Sequence, residues 1–176
     1  MKLLRIGRKG EEFVAALDRN TKLRNLSKYL KDLNPDTINF ETLQNLKKIN
    51  LESLPEVDQN MRIGSCINRP GDFLAIGLNY KDHAEGTKSK LPNEPILFNK
   101  STGSILGPND LIEKPHTAEK LDYEVEVAMI VGRKGKYIDE AIAQDYIFGY
   151  CIVNDISERS WQKERGGQWI KGKSIA

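Results

Sequence analysis

Two carboxylates one residue apart, Glu124 and Glu126, stand in the run Asp122-Tyr123-Glu124-Val125-Glu126-Val127-Ala128-Met129-Ile130-Val131. Residues two apart in a β-strand share a face, so both glutamates project beside Ala128 and Ile130. The opposite face, Tyr123, Val125, Val127, Met129 and Val131, reads as core. The glutamate face turns apolar at once, so it is not a simple solvated surface. Partly buried carboxylates in close proximity repel, and burial raises the pKa of each unless a cation neutralises them. A hard divalent ion does this, and Mg²⁺ favours oxygen ligands with water completing an octahedron. E-x-E alone is met more often as an edge strand with two exposed glutamates.

Asp155 adds a third carboxylate. In Val153-Asn154-Asp155-Ile156-Ser157 it stands where an apolar strand gives way to a helix start, a place where open sites are commonly built. Alone it is more often a turn residue or a helix-approach charge; with Glu124 and Glu126 it completes a plausible three-carboxylate site. His83 follows the apolar run Phe73 to Gly77 through Leu78-Asn79-Tyr80-Lys81-Asp82, which places it just beyond a buried strand. A lone histidine is more often structural than catalytic. His116, in a loop, is given no role. Cys66 and Cys151 stand far apart and read as small buried hydrophobes, since the CxxC or Cys/His cluster of a zinc site is absent.

The elements that must position these groups are short. Leu3 to Ile6 predicts an opening strand broken by Gly7 and Gly10, and Phe13 to Leu17 a second one leading into a turn at Asp18-Arg19-Asn20. Apolar residues at 43, 46 and 49 predict an amphipathic helix over Thr42 to Ile49. The polar stretch Leu54 to Arg62 reads as a linker. After the turn Arg69-Pro70-Gly71-Asp72, strands are predicted at Phe73 to Gly77, Ile96 to Phe98, Tyr123 to Val131 and Gly149 to Asn154. Asp139 is placed to cap a helix to Tyr146, and Ser157 one through Trp161 to about Arg165, ended by Gly166-Gly167. The fold class is therefore mainly β with short helices (α+β), in a small N-terminal α+β domain over 1–68 and a second domain over 69–176.

Composition narrows the partners. The 176 residues are 39% hydrophobic and 30% charged, with a net charge of +2. Residues 1–68 carry 12 basic and 9 acidic side chains and residues 69–176 carry 15 and 16, so no basic block exists to bind a phosphate backbone. No apolar run approaches a membrane span, and the start is too short in apolar residues for a signal peptide. A cytoplasmic protein with no nucleic-acid or membrane partner is expected.

In order and spacing, several motifs resemble the fumarylacetoacetate hydrolase superfamily. They are Gly77-Leu78-Asn79-Tyr80 with His83, Glu94-Pro95-Ile96-Leu97-Phe98-Asn99-Lys100, Gly107-Pro108-Asn109-Asp110 and Asp122-Tyr123-Glu124-Val125-Glu126. Gly149-Tyr150 to Asp155, Ser157-Glu158-Arg159, Gly166-Gly167-Gln168-Trp169 and Lys171-Gly172-Lys173-Ser174 extend the match to the end. The N-terminal unit is similar to that of the bacterial branch labelled ureidoglycolate lyase or 2,4-diketo-3-deoxy-L-fuconate hydrolase. The resemblance implies a mixed β-roll, incomplete in this chain, and a Mg²⁺ or Mn²⁺ site at Glu124, Glu126 and Asp155. It further implies catalytic roles for His83 and Lys173 and substrate contacts for Arg159 and Gln162. The expected reaction is hydrolysis of a C–C bond in a small 2,4-dioxo acid, by a homodimer when the protein is complete.

One departure bears on the chemistry. The family's hydrolases usually carry a glutamate three residues after the histidine to help activate water; here that residue is Gly86, and the nearby acid is Glu85. One position on a helix turns a side chain by about 100°. Lyase or decarboxylase chemistry on a related 2-oxo acid needs no such glutamate and is the alternative among enzymes. A catalytically silent fragment is the alternative outside them.

Overall fold

The computed structural model describes residues 1–86 and 90–175, with only the backbone described at 83–85. In chain order the strands are β1 (Lys2–Ile6), β2 (Phe13–Leu17), β3 (Leu23–Asn25), β4 (Leu74–Gly77), β5 (Ile96–Asn99), β6 (Leu121–Asp122), β7 (Val125–Val131), β8 (Ile147–Asn154) and β9 (Ser157–Glu158). The α-helices are α1 (Phe40–Lys47), α2 (Lys81–Gly86) and α3 (Arg159–Lys163), and short 3₁₀ turns lie between. The chain is thus mostly β with few and short helices. Among the described residues, no helix is long and apolar enough to cross a membrane.

The chain forms two units. One comprises Met1–Pro70, Leu106–Leu111 and Val125–Asn154. Its centre is the antiparallel sheet β1-β2-β3. The β1–β2 register runs from Lys2↔Leu17 to Ile6↔Phe13, and the connecting loop turns through Gly7 (φ 129) and Gly10 (φ 84), a region that L side chains rarely adopt. β2 is the middle strand and is buried on both faces. Val14 and Ala16 face one apolar cluster with Leu26, Leu30, Leu33, Ile38, Leu46 and Leu54, while Ala15 faces a second with Ile6 and Leu23. Burying one such side chain stabilises by about 1.5–3 kcal/mol.

α1 begins two residues before the predicted start, because the Asn39 side chain accepts the Thr42 N–H at 2.9 Å and caps the helix there. The stretch 54–62 is not a free linker. Asn25 N–H donates to Pro55 O and Val57 N–H to Leu23 O, so the segment runs as an irregular neighbour of β3 and buries Leu54. The same unit holds the β7–β8 ribbon, whose Ile130 and Phe148 pack onto the first cluster. Alternation along β7 is as expected, but its faces are inverted: Val125, Val127, Met129 and Val131 are exposed, as are Tyr150 and Ile152 of β8. The side carrying Ile130 is the one that meets the core, so the apolar stripe is left uncovered within the unit.

The other unit comprises Gly71–Ile105, Ile112–Glu124 and Asp155–Ala176. It contains the pairs β4–β5 and β6–β9 with α3. The predicted strand over 123–131 is broken at Tyr123-Glu124, so that β6 pairs with β9 and β7 with β8. Ser157 is not the helix cap. It lies in β9, and the cap of α3 is Glu158, whose carboxylate accepts the Trp161 N–H at 2.7 Å.

Candidate metal centre

Backbone pairing brings the acidic residues together. Asp155 N–H donates to Glu124 O at 2.8 Å. One carboxylate oxygen each of Glu124, Glu126 and Asp155 lies within 4.8 Å of the others. Glu124 and Glu126 are half-buried and Asp155 is buried. The donor set is all carboxylate oxygen, the kind that suits a hard divalent cation such as Mg²⁺ or Mn²⁺.

Two lysines reach the same carboxylates. Lys100 directly follows β5, whose ladder it extends by donating its N–H to Phe73 O at 2.8 Å. Its side chain is buried, and Nζ donates to Asp155 Oδ1 and to the carbonyl of Lys173. Burial pushes the Lys100 ammonium below its ordinary range, and the hydrogen bond to Asp155 opposes that. Lys173 follows the 3₁₀ turn Trp169–Gly172 and is also buried. Its Nζ donates to Glu124 Oε2 and, at 2.8 Å, to Asp155 Oδ2. The turn that delivers Lys173 depends on Gly172: a Cβ there would lie 2.6 Å from Gln162 N and 2.7 Å from Glu158 O. Trp169 in the same turn packs edge-on against Phe98, ring centres 5.2 Å apart, which ties the turn to β5.

α3 supplies the remaining groups. Arg159 donates from Nη2 to Glu124 Oε1 at 2.6 Å and from Nε and Nη2 to Asp122 Oδ2 at 2.9 and 2.8 Å. Its Nη1 donates to Gln162 Oε1 at 3.1 Å, one helical turn on. The preceding residue, Glu158, is a fully buried carboxylate that accepts from Trp161 N–H, Ser160 Oγ, Lys120 N–H and Glu119 N–H. Burial raises the Glu158 carboxyl, but these donors outweigh it and bring it down to about 2. At Glu124 burial likewise raises the carboxyl, and Lys173 and Arg159 hold it at about 2. Both carboxylates are thus ionised throughout the physiological range.

Charge tests whether a divalent ion fits. Asp122, Glu124, Glu126 and Asp155 carry four negative charges, and Lys100, Arg159 and Lys173 three positive ones. A divalent ion turns the resulting −1 into +1, the balance that attracts an anionic ligand. The residues present therefore fit such an ion, with Glu124, Glu126 and Asp155 as ligands.

Of the residues predicted from sequence, Glu124, Asp155, Lys173, Arg159 and Gln162 form one hydrogen-bonded network, with Glu126 beside Glu124 and Asp155. His83 is in helix α2, but its side chain lies outside the described residues. Sequence reading gave no role to Lys100 or Glu158. A lysine closing the apolar strand Ile96–Asn99 was the available signal for the first, and an acid at a helix start for the second.

Residues 72–176 match the family model described as fumarylacetoacetate (FAA) hydrolase C-terminal, and the chain belongs to that family, whose wider superfamily hydrolyses or isomerises small oxo acids. A curated Burkholderia ambifaria protein, provisionally named a hydrolase, is 49% identical over 175 residues, 99% of this chain and 62% of that protein. The chain thus spans less than two thirds of the curated relatives it matches. Two solved Mycobacterium smegmatis structures are similar. A provisionally named HpcE protein aligns with TM-score 0.82 and 26% identity over 100% of this chain and 64% of its own. A 5-carboxymethyl-2-hydroxymuconate delta-isomerase aligns with TM-score 0.71 and 26% identity over 99% and 61%.

Proposed function

We propose that the complete protein hydrolyses a C–C bond in a small 2,4-dioxo acid, of acylpyruvate or deoxy-sugar-acid type, with Mg²⁺ or Mn²⁺ at Glu124, Glu126 and Asp155. The observation that carries this reading is the convergence of those three carboxylates beside two buried lysines. When bound, the ion supplies Lewis acidity and positive charge for the 2-oxo acid end of the substrate. Lys173, held at the edge of the carboxylate cluster, neutralises negative charge on the departing fragment. Arg159 offers a planar guanidinium for a substrate carboxylate, and Gln162 fixes its orientation through the Nη1 hydrogen bond. His83 is assigned the general acid–base step. The branch labelled ureidoglycolate lyase or 2,4-diketo-3-deoxy-L-fuconate hydrolase is the proposed relation, and a homodimer the proposed state.

A second reading is non-hydrolytic: isomerisation, lyase or decarboxylase chemistry on the same class of acid. Gly86 favours it, because the water-activating glutamate usual in the hydrolases is missing there. One experiment separates them. The complete protein is incubated with acylpyruvates and Mg²⁺ in H₂¹⁸O, and the products are analysed by mass spectrometry. Label in a new carboxylate, dependent on the metal, supports hydrolysis; unlabelled rearranged or decarboxylated product supports the alternative. No metal-dependent turnover of any 2-oxo acid sinks both.

A further inference from the structure

Cys66 and Cys151 are 85 residues apart in sequence, yet their Sγ atoms lie 3.5 Å apart. The expectation of two separate buried thiols is overturned. Cys66 is exposed, in the loop that follows the bridge between Ile6 and Ile63, and Cys151 is half-buried on β8 opposite Ala128. Both belong to the same unit. A disulfide bond is about 2.05 Å long, so closure needs the two sulfurs to approach by about 1.5 Å.

We propose that Cys66 and Cys151 form a dithiol site that takes a hydroperoxide and closes to a reversible disulfide. Two features divide the roles. Cys66 is open to solvent, and its neighbour Ser65 accepts hydrogen bonds from the buried Arg5 guanidinium through O at 3.3 Å and Oγ at 3.4 Å. The Cys66 thiol is lowered to about 7, chiefly by its hydrogen bond with the Cys151 thiol; burial opposes this and the charge of Arg5 assists. The same hydrogen bond, with burial, pushes Cys151 up. Cys66 is therefore the attacking sulfur and Cys151 the resolving one.

The chemistry balances. With hydrogen peroxide, the Cys66 thiolate attacks one peroxide oxygen, an S–O bond forms, the O–O bond breaks, and the hydroxide released takes up the thiol proton as water (an organic hydroperoxide releases its alcohol instead). Cys151 then attacks the sulfur of the Cys66 sulfenic acid. The S–S bond forms, the S–O bond breaks, and hydroxide leaves with the Cys151 proton as a second water. Two thiols lose two electrons and the peroxide gains them. Dithiols in intracellular proteins, where disulfides are otherwise rare, usually act in this transient way.

The test uses the complete protein, reduced, desalted, treated with one equivalent of hydrogen peroxide, quenched with N-ethylmaleimide and digested without reductant. Mass spectrometry should find a linked Cys66–Cys151 peptide, both thiols lost to alkylation, and a mass about 2 Da below the dithiol that dithiothreitol restores. In urea the same link should form about tenfold more slowly or worse, because folding supplies the contact. With Cys151→Ser, dimedone should label Cys66; with Cys66→Ala, Cys151 should stay alkylatable. The proposal fails if peroxide leaves both thiols free, drives each to sulfinic or sulfonic acid without a link, or links them equally fast in urea. The unsubstituted chain alone decides these outcomes, so a poorly folding variant does not rescue the idea.

Discussion

Lys173 spans two acids: its Nζ donates to Glu124 Oε2 and to Asp155 Oδ2, the latter at 2.8 Å. An ammonium so placed competes for the very oxygens a divalent ion would use, and it also supplies a charge that a reacting anion would need. These two effects have opposite signs in different measurements. Lys173→Met should therefore tighten Mg²⁺ binding severalfold by calorimetry while lowering kcat by roughly 10²–10³, the usual loss for one charge-stabilising donor. A variant in which metal affinity and turnover fall together would mean that Lys173 only holds the fold.

Glu126 is tested by removal. Glu126→Ala leaves two of the three carboxylates, and an octahedral ion cannot replace a missing charged ligand with water at equal affinity. In the complete protein, metal-dependent turnover should drop below detection, and EDTA should abolish the activity of the unsubstituted enzyme until Mg²⁺ is restored. Activity that survives EDTA dialysis and Glu126→Ala alike would remove the metal from the proposed mechanism.

Glu158 carries a pH signature. Its folded carboxyl sits at about 2 against an ordinary value of 4.5, so the folded state favours the charged form. A depressed pKa contributes stability that is fully present above the unfolded value and lost as pH falls through the folded one. Glu158→Gln should cost about 1.5–3 kcal/mol at pH 7, as expected for charge-assisted hydrogen bonds. In urea melts the difference should shrink steadily from pH 5 towards pH 2. A difference that stays constant over that window would show that the packing of Gln, not charge, is responsible.

His83 and Gly86 bear on the choice between hydrolysis and its alternative. His83→Ala should reduce kcat by roughly 10²–10⁴, the range for losing a general acid–base group. Gly86 is exposed, and among the described residues a Cβ built there meets nothing within 4 Å, which leaves room for Gly86→Glu. If hydrolysis is limited by the missing acid, this variant should raise the rate of ¹⁸O incorporation. An unchanged rate would count against water activation from that position.

The sequence made some of this legible and hid the rest for physical reasons. β1, β2 and β8 follow from local hydrophobic runs and glycine breaks, and the alternation along β7 follows from the period-2 geometry of any strand. The break at Tyr123-Glu124 was hidden, because it is set by β6 pairing with β9, a contact between residues 36 or so apart. Lys100 was hidden for the same reason: a lysine after a strand is ordinary until the fold places Asp155, 55 residues later, against it. The inverted faces of β7 have another cause. Alternation reports that two faces differ, but only the tertiary partners of Ile130 and Phe148 decide which one is covered.

That uncovered face yields the last prediction. Val127 is 61% exposed and Ile152, its direct partner across β7–β8, is 78% exposed. Val125, Met129, Val131 and Tyr150 surround them on the same side of the ribbon and are exposed as well. Contiguous apolar surface of this kind drives association. Each valine or isoleucine left in water forgoes about 1.5–3 kcal/mol of burial, against a net stability of only about 5–15 kcal/mol for a domain. Residues 1–176 expressed alone should therefore elute as a broad, high-mass species and melt without cooperativity. Val127→Lys combined with Ile152→Glu removes apolar surface and places opposite charges across the strand pair, which is mildly favourable. The double variant should shift the chain towards a monomer peak in size exclusion. A monodisperse unsubstituted chain with a cooperative melt would show that the exposed stripe is tolerated, and the double variant would then change nothing but charge.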